Sequence, residues 1–381
     1  MTDGLVVDMF AGGGGASEGI REAIGREVDI AVNHDLKALM MHAVNHPGAL
    51  HLKEDVFTVK LNEYTRGRHV SLMWVSPDCT HFSRARGGKP RSQHIRMLPW
   101  AVYEQSRRIM PDVVVCENVA EIQTWEDYGA FVDSMRSLGY TFECRELVAA
   151  DYGAPTIRKR WYAVFRHDGC RTEWPEQTNA RAGTIESMTM PTWEPVAKCI
   201  DFEDVGESIF SRKKPLADAT MRRIAAGIEH YVRKNPSPFL VTIGYGERKT
   251  QAPRVRGVDE PLTTIVAGGC KQYLCAPFLV SYYGNERDAD SVEQPLRTIT
   301  CKDRFGLVTC EVDGETYQLV DVHLRMLKPE ELKLAQGFPA SYVIDHYSDG
   351  TKVSKTEQVR RIGNSVVPLM ARRIVAANMA A

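Results

Sequence analysis

The sequence predicts an α/β fold: a mostly parallel, Rossmann-like sheet joined to a smaller strand-rich domain. Three observations carry this. Over residues 1–168, short apolar runs alternate with helix-like segments, the pattern of parallel strands covered by helices on both faces. From 169 to 320 the alternation stops, and Pro, Gly, Thr and short strand-like pieces take over. From 321 to 381 the helical pattern returns and ends in an apolar helix, which must pack on something, most simply back on the first domain.

The expected strands of the first domain are Leu5–Phe10, Val28–Val32, Val70–Ser76, Asp112–Glu117, Phe142–Ala149 and Trp161–Arg166. Between them, helices are expected over Ala16–Ile24, Leu36–Asn45, Pro99–Ile109 and Tyr128–Leu138. The middle region carries a basic helix around Ala219–Lys234 and an internal echo. Pro238-Phe239-Leu240-Val241 and Asp259-Glu260-Pro261-Leu262-Thr263-Thr264-Ile265 are followed by Pro277-Phe278-Leu279-Val280 and Glu293-Gln294-Pro295-Leu296-Arg297-Thr298-Ile299. Two copies are too few for a solenoid and fit two similar β-units within one recognition domain. Leu327-Lys328-Pro329-Glu330-Glu331-Leu332 then starts a helix with Pro in its first turn.

A chain of 381 residues fits one large domain or two. No apolar run approaches the roughly 18 residues that span a membrane, and Met1-Thr2-Asp3-Gly4 enters a strand at once, leaving no room for a signal peptide. Nine cysteines without a C-x-x-C spacing argue against a disulfide framework and a standard zinc site. The expectation is a reducing cytoplasm, no metal and no membrane. The formal net charge of −1 gives no support to nucleic-acid binding, but its distribution does. Between Ser211 and Arg256 eleven Lys/Arg stand against three Asp/Glu, and the stretch from Arg84 to Arg91 is basic with no acid. Such stripes can carry phosphate contacts; a solvated surface is the alternative.

The chemistry is concentrated at strand ends. Val70-Ser71-Leu72-Met73-Trp74-Val75 reads as a buried strand that delivers Pro77-Asp78-Cys79-Thr80-His81-Phe82-Ser83 to the rim of the sheet. A second strand, Asp112-Val113-Val114-Val115-Cys116, ends in Glu117-Asn118-Val119. Open α/β sheets place their chemistry at this edge, and a thiol beside a carboxylic acid suits nucleophilic attack assisted by proton donation. The opening strand runs into Asp8-Met9-Phe10-Ala11-Gly12-Gly13-Gly14-Gly15. Glycines at a strand-to-helix turn let a ligand approach the backbone. The turn is neither a Walker A loop nor a G-x-G-x-x-G; read alone it indicates a nucleotide-like cofactor, with a plain tight turn as the alternative.

The combination is more specific. Asp8-x-Phe10-Ala11-Gly12-x-Gly14-Gly15, Pro77-x-Cys79-x-x-Phe82-Ser83, Glu117-Asn118-Val119, Arg158-x-Arg160, Gln336-Gly337-Phe338-Pro339 and Gly363-Asn364-Ser365-Val366-x-Pro368 occur in that order. The chain thus resembles the DNA (cytosine-5)-methyltransferase family, of bacterial or phage type, along nearly its whole length. The resemblance implies S-adenosylmethionine as cofactor, double-stranded DNA as partner, and a target-recognition domain over the middle region. In catalysis it implies Cys79 as the thiolate that adds to carbon 6 of a flipped-out cytosine. Glu117 would hold or protonate ring nitrogen 3, and Arg160, of the pair Arg158 and Arg160, would bond the ring carbonyl. For the cofactor it implies Asp8, Phe10, Ala11, Gly12 and Gly14 at the turn, Asp55 and Val56 at the adenine, and Pro77, Asn364 and Ser365 around the pocket. An acid for the ribose hydroxyls falls in Asn33-His34-Asp35, on His34 or, by a shift of one, on Asp35, with Asp35 favoured.

This sequence also departs from the family's pattern. Pro-Pro-Cys-Gln reads Pro77-Asp78-Cys79-Thr80, which sets a carboxylate beside the nucleophile and by itself would raise the thiol pKa. The Gln before the arginine pair is Thr156. His81 is read as a phosphate or solvent contact rather than a base, Cys116 as core, and Cys270 and Cys275 as thiols without a metal. Rival readings are an RNA cytosine methyltransferase, a catalytically silent DNA-binding regulator, and transfer of a larger group from a modified cofactor. A monomer is expected, with a cognate restriction endonuclease as candidate partner, in the cytoplasm of a bacterium or phage-infected host.

Overall fold

Period-two alternation builds the first sheet. In the computed structural model, Leu5, Val7 and Met9 face one apolar cluster while Val6 faces the other, so both faces of this strand are buried and the run is apolar apart from Asp8. The structure describes residues 4–77, 97–232, 237–244, 251–281, 309–312 and 315–379. Elements in chain order are β1 (Leu5–Met9), α1 (Gly15–Ile24), β2 (Ile30–Val32), α2 (Leu36–Asn45), β3 (Leu50–Leu52), α3 (Leu61–Thr65), β4 (Val70–Val75), α4 (Leu98–Ile109), β5 (Val113–Asn118), α5 (Tyr128–Ser137), β6 (Thr141–Val148) and β7 (Lys159–Arg166). The seven strands lie in the order β3-β2-β1-β4-β5-β7-β6. The first five run parallel, and β7 is antiparallel to both neighbours. This is the Rossmann-like α/β sheet that the strand–helix alternation predicts.

The chain then forms β8 (Glu207–Ser208), α6 (Asp218–Gly227), β9 (Phe239–Thr242), β10 (Val255–Gly257), β11 (Gln272–Ser281), β12 (Thr309–Val312) and β13 (Glu315–Met326). It closes with α7 (Pro329–Ala335), α8 (Lys355–Asn364) and α9 (Pro368–Met379). Two compact units result. The first comprises residues 1–194, 261–269 and 332–381, and the second residues 195–260 and 270–331. The division therefore falls at Glu194 and not at 168, and 261–269 belongs to the first unit. Leu262 is the reason: it is fully buried, and its backbone bonds Pro155 and Ile157. The echo read as two β-units of one domain is split accordingly, and its last piece, 293–299, lies outside the described residues.

In the first unit, α4 and α5 cover one face of the sheet through Leu98, Ala101, Val102, Phe131, Val132 and Met135. The other face is covered by Ala16 and Ile20 of α1 with Met370, Ala371, Ile374 and Val375 of α9. The C-terminal helix thus completes this core, each large buried side chain contributing about 1.5–3 kcal/mol. Gly19 lets the two helices approach: a Cβ there would lie 2.1 Å from the Pro368 carbonyl oxygen. In the second unit an antiparallel sheet, β10-β9-β11-β13-β12 with β8 on β13, packs Phe239, Val241, Cys275, Val322 and Leu324 against Ile224 and Ile228. In this unit α6 covers the expected helix 219–234 as far as Gly227 and passes into a π turn, Ile228–Val232, and 233–234 lie outside the described residues. Of its arginine pair, Arg222 is exposed and Arg223 is buried, so only Arg222 can meet a phosphate at the surface.

Candidate active site

Strand register lines up the predicted residues along one edge. Met9 pairs with Val32 and with Val75, Val32 with Leu52, and Val75 with Cys116. The carboxyl ends of five adjacent strands therefore open in one row onto Phe10–Gly14, Asn33–Asp35, Asp55–Val56, Pro77 and Glu117.

At the left-handed turn after β1, Phe10, Gly12 and Gly14 all have positive φ (68°, 45° and 85°). Gly14 cannot carry a side chain, since a Cβ would fall 2.0 Å from the Tyr342 hydroxyl. The turn is fastened from several sides. Ala11 N–H donates to the Val32 carbonyl (3.0 Å), Tyr342 O–H to the Gly13 carbonyl (2.8 Å), and Gly15 N–H to Ser365 Oγ (3.1 Å). Ser365 is buried and held in turn by Gln336 Nε2 at its carbonyl (3.0 Å), whereas Asn364 is exposed. The Gln336 and Gly363–Ser365 motifs, distant in sequence, thus meet at the glycine turn. Asp8 itself is wholly enclosed beneath it and cannot touch a ligand lying on it.

Asp35 has other employment. It caps α2, accepting from the backbone N–H of Lys37 (3.0 Å) and Ala38 (3.4 Å), and its Oδ2 pairs with Arg361 (2.7 Å) and Arg360 (3.3 Å). Partial burial raises its pKa, but the two guanidinium groups outweigh burial and hold it below the ordinary carboxylate value. His34 is exposed, and Asn33 is half-buried with its Oδ1 accepting from Asp35 N–H (2.8 Å). Asp55 is exposed, its Oδ1 receiving Phe57 N–H (2.8 Å), and Val56 is buried with its carbonyl taken by Gln105 (3.1 Å). Of the two expected ribose ligands, His34 is the one left open to solvent. Replacing His34 with Ala should weaken cofactor binding several-fold with little change in melting temperature. Asp35→Asn should lower stability by about 1–3 kcal/mol, by removing the charge facing two arginines. Calorimetric titration and thermal unfolding of the two variants check this, and the reverse pattern would return the ribose to Asp35.

At the other end of the row, Glu117 is buried and meets Arg160, Nε to Oε1 at 3.2 Å. Both side chains are about nine-tenths shielded, at 10% and 14% exposure, so the pair is screened far less than a surface ion pair. Arg160 Nη1 also donates to the Lys159 carbonyl (2.8 Å). Next to Glu117, Asn118 Nδ2 donates to the Pro77 carbonyl (3.1 Å), tying the chain leaving β4 to the strand end that carries the acid. Cys79 follows Pro77 by two residues. It lies outside the described residues, as do Asp78, Thr80, His81, Phe82, Ser83 and the basic stretch 84–91. Arg158 is buried and donates to the carbonyls of Ile265 (3.3 Å) and Gly363 (3.1 Å). It therefore braces two segments, while Arg160 is the arginine on the acid. Thr156 is fully buried, and its Oγ1 has no hydrogen-bond partner among the described residues.

Cys116 and Cys275 are buried, and burial pushes both thiols up, out of the range of a nucleophile. No cluster of His, Cys, Asp or Glu among the described residues could hold a metal ion. No helix among them is long and apolar enough to cross a membrane.

The sheet with its reversed β7 and the glycine turn after β1 defines a Rossmann-like fold of the methyltransferase type. More particularly, the chain belongs to the C-5 cytosine-specific DNA methylase family, which it matches over residues 5–379. Among curated relatives it is similar to the type II methyltransferase M1.HphI of Haemophilus parahaemolyticus, 27% identical over 47% of this chain and 50% of the relative. It is also similar to M.AgeI of Thalassovita gelatinovora, 28% identical over 47% and 44%. The chain spans about half the length of these curated relatives. Solved structures of like fold include S. pombe Dnmt2 methyltransferase, with a TM-score of 0.59 at 15% identity, covering 99% of this chain and 98% of that one. The Entamoeba histolytica methyltransferase EhMeth gives 0.58 at 14% identity, over 98% and 97%.

Proposed function

We propose that this chain transfers a methyl group from S-adenosylmethionine to carbon 5 of a flipped-out cytosine in double-stranded DNA, through a covalent adduct on Cys79. The observation that carries the reading is the junction of β4 and β5: the Asn118–Pro77 bond brings the strand end leading to Cys79 alongside the Glu117–Arg160 pair. Carbon 5 of cytosine is a poor nucleophile. Addition of the Cys79 thiolate to carbon 6 makes the ring an enamine, whose electrons then reach carbon 5. Glu117 gives or shares a proton at ring nitrogen 3, and Arg160 bonds the ring carbonyl, spreading charge as it develops. Loss of the carbon 5 proton returns the electron pair to the ring and expels the cysteine.

The glycine turn fits the cofactor: Gly14 lets the left-handed turn close onto Tyr342, and Ser365, Tyr342 and Ala11 fix its backbone. Phe10 and His34 offer the flanking contacts. When bound, S-adenosylmethionine supplies the electrophilic methyl group. The second unit, with Arg222 exposed on its helix, is the proposed target reader, where base-edge contacts specify and phosphate contacts position. The family and the type II relatives support DNA as substrate; a monomeric enzyme with a cognate endonuclease, in a bacterial or phage-infected cytoplasm, completes the proposal.

Bisulfite sequencing of DNA from cells expressing the chain tests this. One recurring sequence carrying 5-methylcytosine is expected. Unmethylated DNA in the presence of folded protein overturns the reading, and methylation of tRNA in place of DNA moves it to the RNA class.

A further inference from the structure

Beneath the glycine turn lies a continuous chain of hydrogen bonds that the methyl transfer does not use. Ser17 Oγ is 2.7 Å from Asp8 Oδ2, His42 Nε2 is 2.9 Å from Ser17 Oγ, and His51 Nε2 is 2.8 Å from His42 Nδ1. Asp8, Ser17 and His42 are fully buried, and His51, on β3, is half-buried. The grouping has the members of a hydrolytic triad, yet a serine sealed from solvent cannot be a nucleophile. It does touch the turn, because the Cβ that Gly14 lacks would sit 3.4 Å from His42 Cδ2. Asp8 Oδ1 has no hydrogen-bond partner among the described residues, so the carboxyl's charge state is set by burial first and by its bonds from Ser17 second.

We propose that Asp8, Ser17, His42 and His51 form a proton wire that sets the charge beneath the glycine turn, so that pH decides how strongly the turn prefers a cationic ligand over its neutral counterpart. The proposal rests on the cofactor reading of that turn.

Counting protons gives two complete states. With Asp8 ionised, Ser17 O–H donates to Asp8, His42 Nε2–H to Ser17, and His51 Nε2–H to His42 Nδ1: three protons. With Asp8 neutral, its O–H donates to Ser17, Ser17 O–H to His42 Nε2, and His42 Nδ1–H to His51 Nε2, while His51 carries its proton on Nδ1: four protons. One proton taken up at His51 Nδ1 converts the first state to the second. Each group passes on the proton it held, and every bond in the chain reverses. Neither state requires a charged imidazole. This agrees with burial, which lowers His42 far below the ordinary histidine value and lowers His51 as well. Burial likewise lifts Asp8 to about 7, against the opposing bond from Ser17, so the two states exchange near neutrality.

The surrounding charges come from each element packed on the chain. Glu18 on α1 is paired with Arg21 (2.6 Å). His46, which caps the C-terminus of α2, is lowered by burial to about 4, with Glu18 3.9 Å away. Burial pushes Tyr342 well above its ordinary value, Glu18 and Asp8 adding to the effect, and Glu27 acts on His51. His46 and Tyr342 therefore both stay neutral through neutral pH, leaving Asp8 as the member that changes.

S-adenosylmethionine and S-adenosylhomocysteine differ by the sulfonium charge and one methyl group, which makes them the probes. In the parent protein, the ratio of the homocysteine to the methionine dissociation constant should rise about tenfold between roughly pH 6 and pH 8, one pKa unit of coupling to an ionising Asp8. Asp8→Asn should flatten the ratio, and Ser17→Ala, which removes the bond favouring the carboxylate, should move its midpoint to higher pH. On the unliganded parent protein, long-range ¹⁵N–¹H spectra should show His42 exchanging Nε2–H for Nδ1–H as pH falls through about 7, a readout that survives if a variant fails to fold. A single His42 tautomer across the range overturns the wire. A pH-independent ratio, or one that Asp8→Asn retains, overturns the charge-sensing role. Failure of both ligands to bind while the His42 tautomer still switches overturns the cofactor reading instead, and the charge-sensing role with it.

Discussion

Cys79→Ser should abolish methyl transfer, by about 10³-fold or more, while leaving S-adenosylmethionine affinity within a few-fold of the parent. The reasoning is chemical. A serine hydroxyl at neutral pH is scarcely ionised and cannot add to carbon 6, so carbon 5 never gains the electron density to attack a methyl group. The residues proposed to hold the cofactor, by contrast, hang on β1, β2 and the Gly363–Ser365 motif, none of which the substitution touches. DNA containing 5-fluorocytosine separates this from mere loss of fold. Fluorine blocks the last elimination, so the parent protein should accumulate a covalent complex stable to denaturation, and the variant should form none. Trapping that persists in the variant would move the nucleophile elsewhere. Cys116 is a poor candidate even then, because its thiol is sealed in β5 and its pKa is raised by burial.

What the sequence revealed, and what it did not, follows from the range of the forces involved. Helix Leu36–Asn45 is legible to the residue because its start is written locally, in the Asp35 side chain that accepts the first backbone N–H groups. The strands through Val75 and Cys116 are legible because a run buried on both faces is continuously apolar. Strand β3 is only Leu50-His51-Leu52, with Leu50 exposed, too short and too wet to carry a period. The reversal of β7 is a tertiary choice that no local pattern encodes. The same holds at the site. The motifs locate Glu117 and Arg160, but not that Arg158 is committed to Ile265 and Gly363. That Asp35 is held by Arg361, more than three hundred residues downstream, has no trace in the local sequence. The Asp8–Ser17–His42–His51 chain left no local trace, because its four members come from four elements, β1, α1, α2 and β3.

The second large effect expected is at Glu117. Glu117→Gln keeps the shape and the hydrogen-bonding capacity of the side chain but removes its transferable proton, and should slow transfer by roughly 10²-fold or more. Arg160 makes the test sharper. Its Nε faces Glu117 while Nη1 holds the Lys159 carbonyl, a two-ended grip that a lysine ammonium cannot reproduce. Arg160→Lys should therefore also lose activity, and Arg160→Ala more so, through both the lost contact to the base and the freed acid. If the two residues act as one unit on the ring, the double variant will be far less impaired than the product of the single losses, since removing either already disables the pair. Single-turnover rates at saturating cofactor read the chemical step directly. Fully multiplicative losses would mean that the acid and the arginine act independently. A Glu117→Gln variant within a few-fold of the parent would leave Glu117 the task of holding the flipped base, with proton donation assigned to another group.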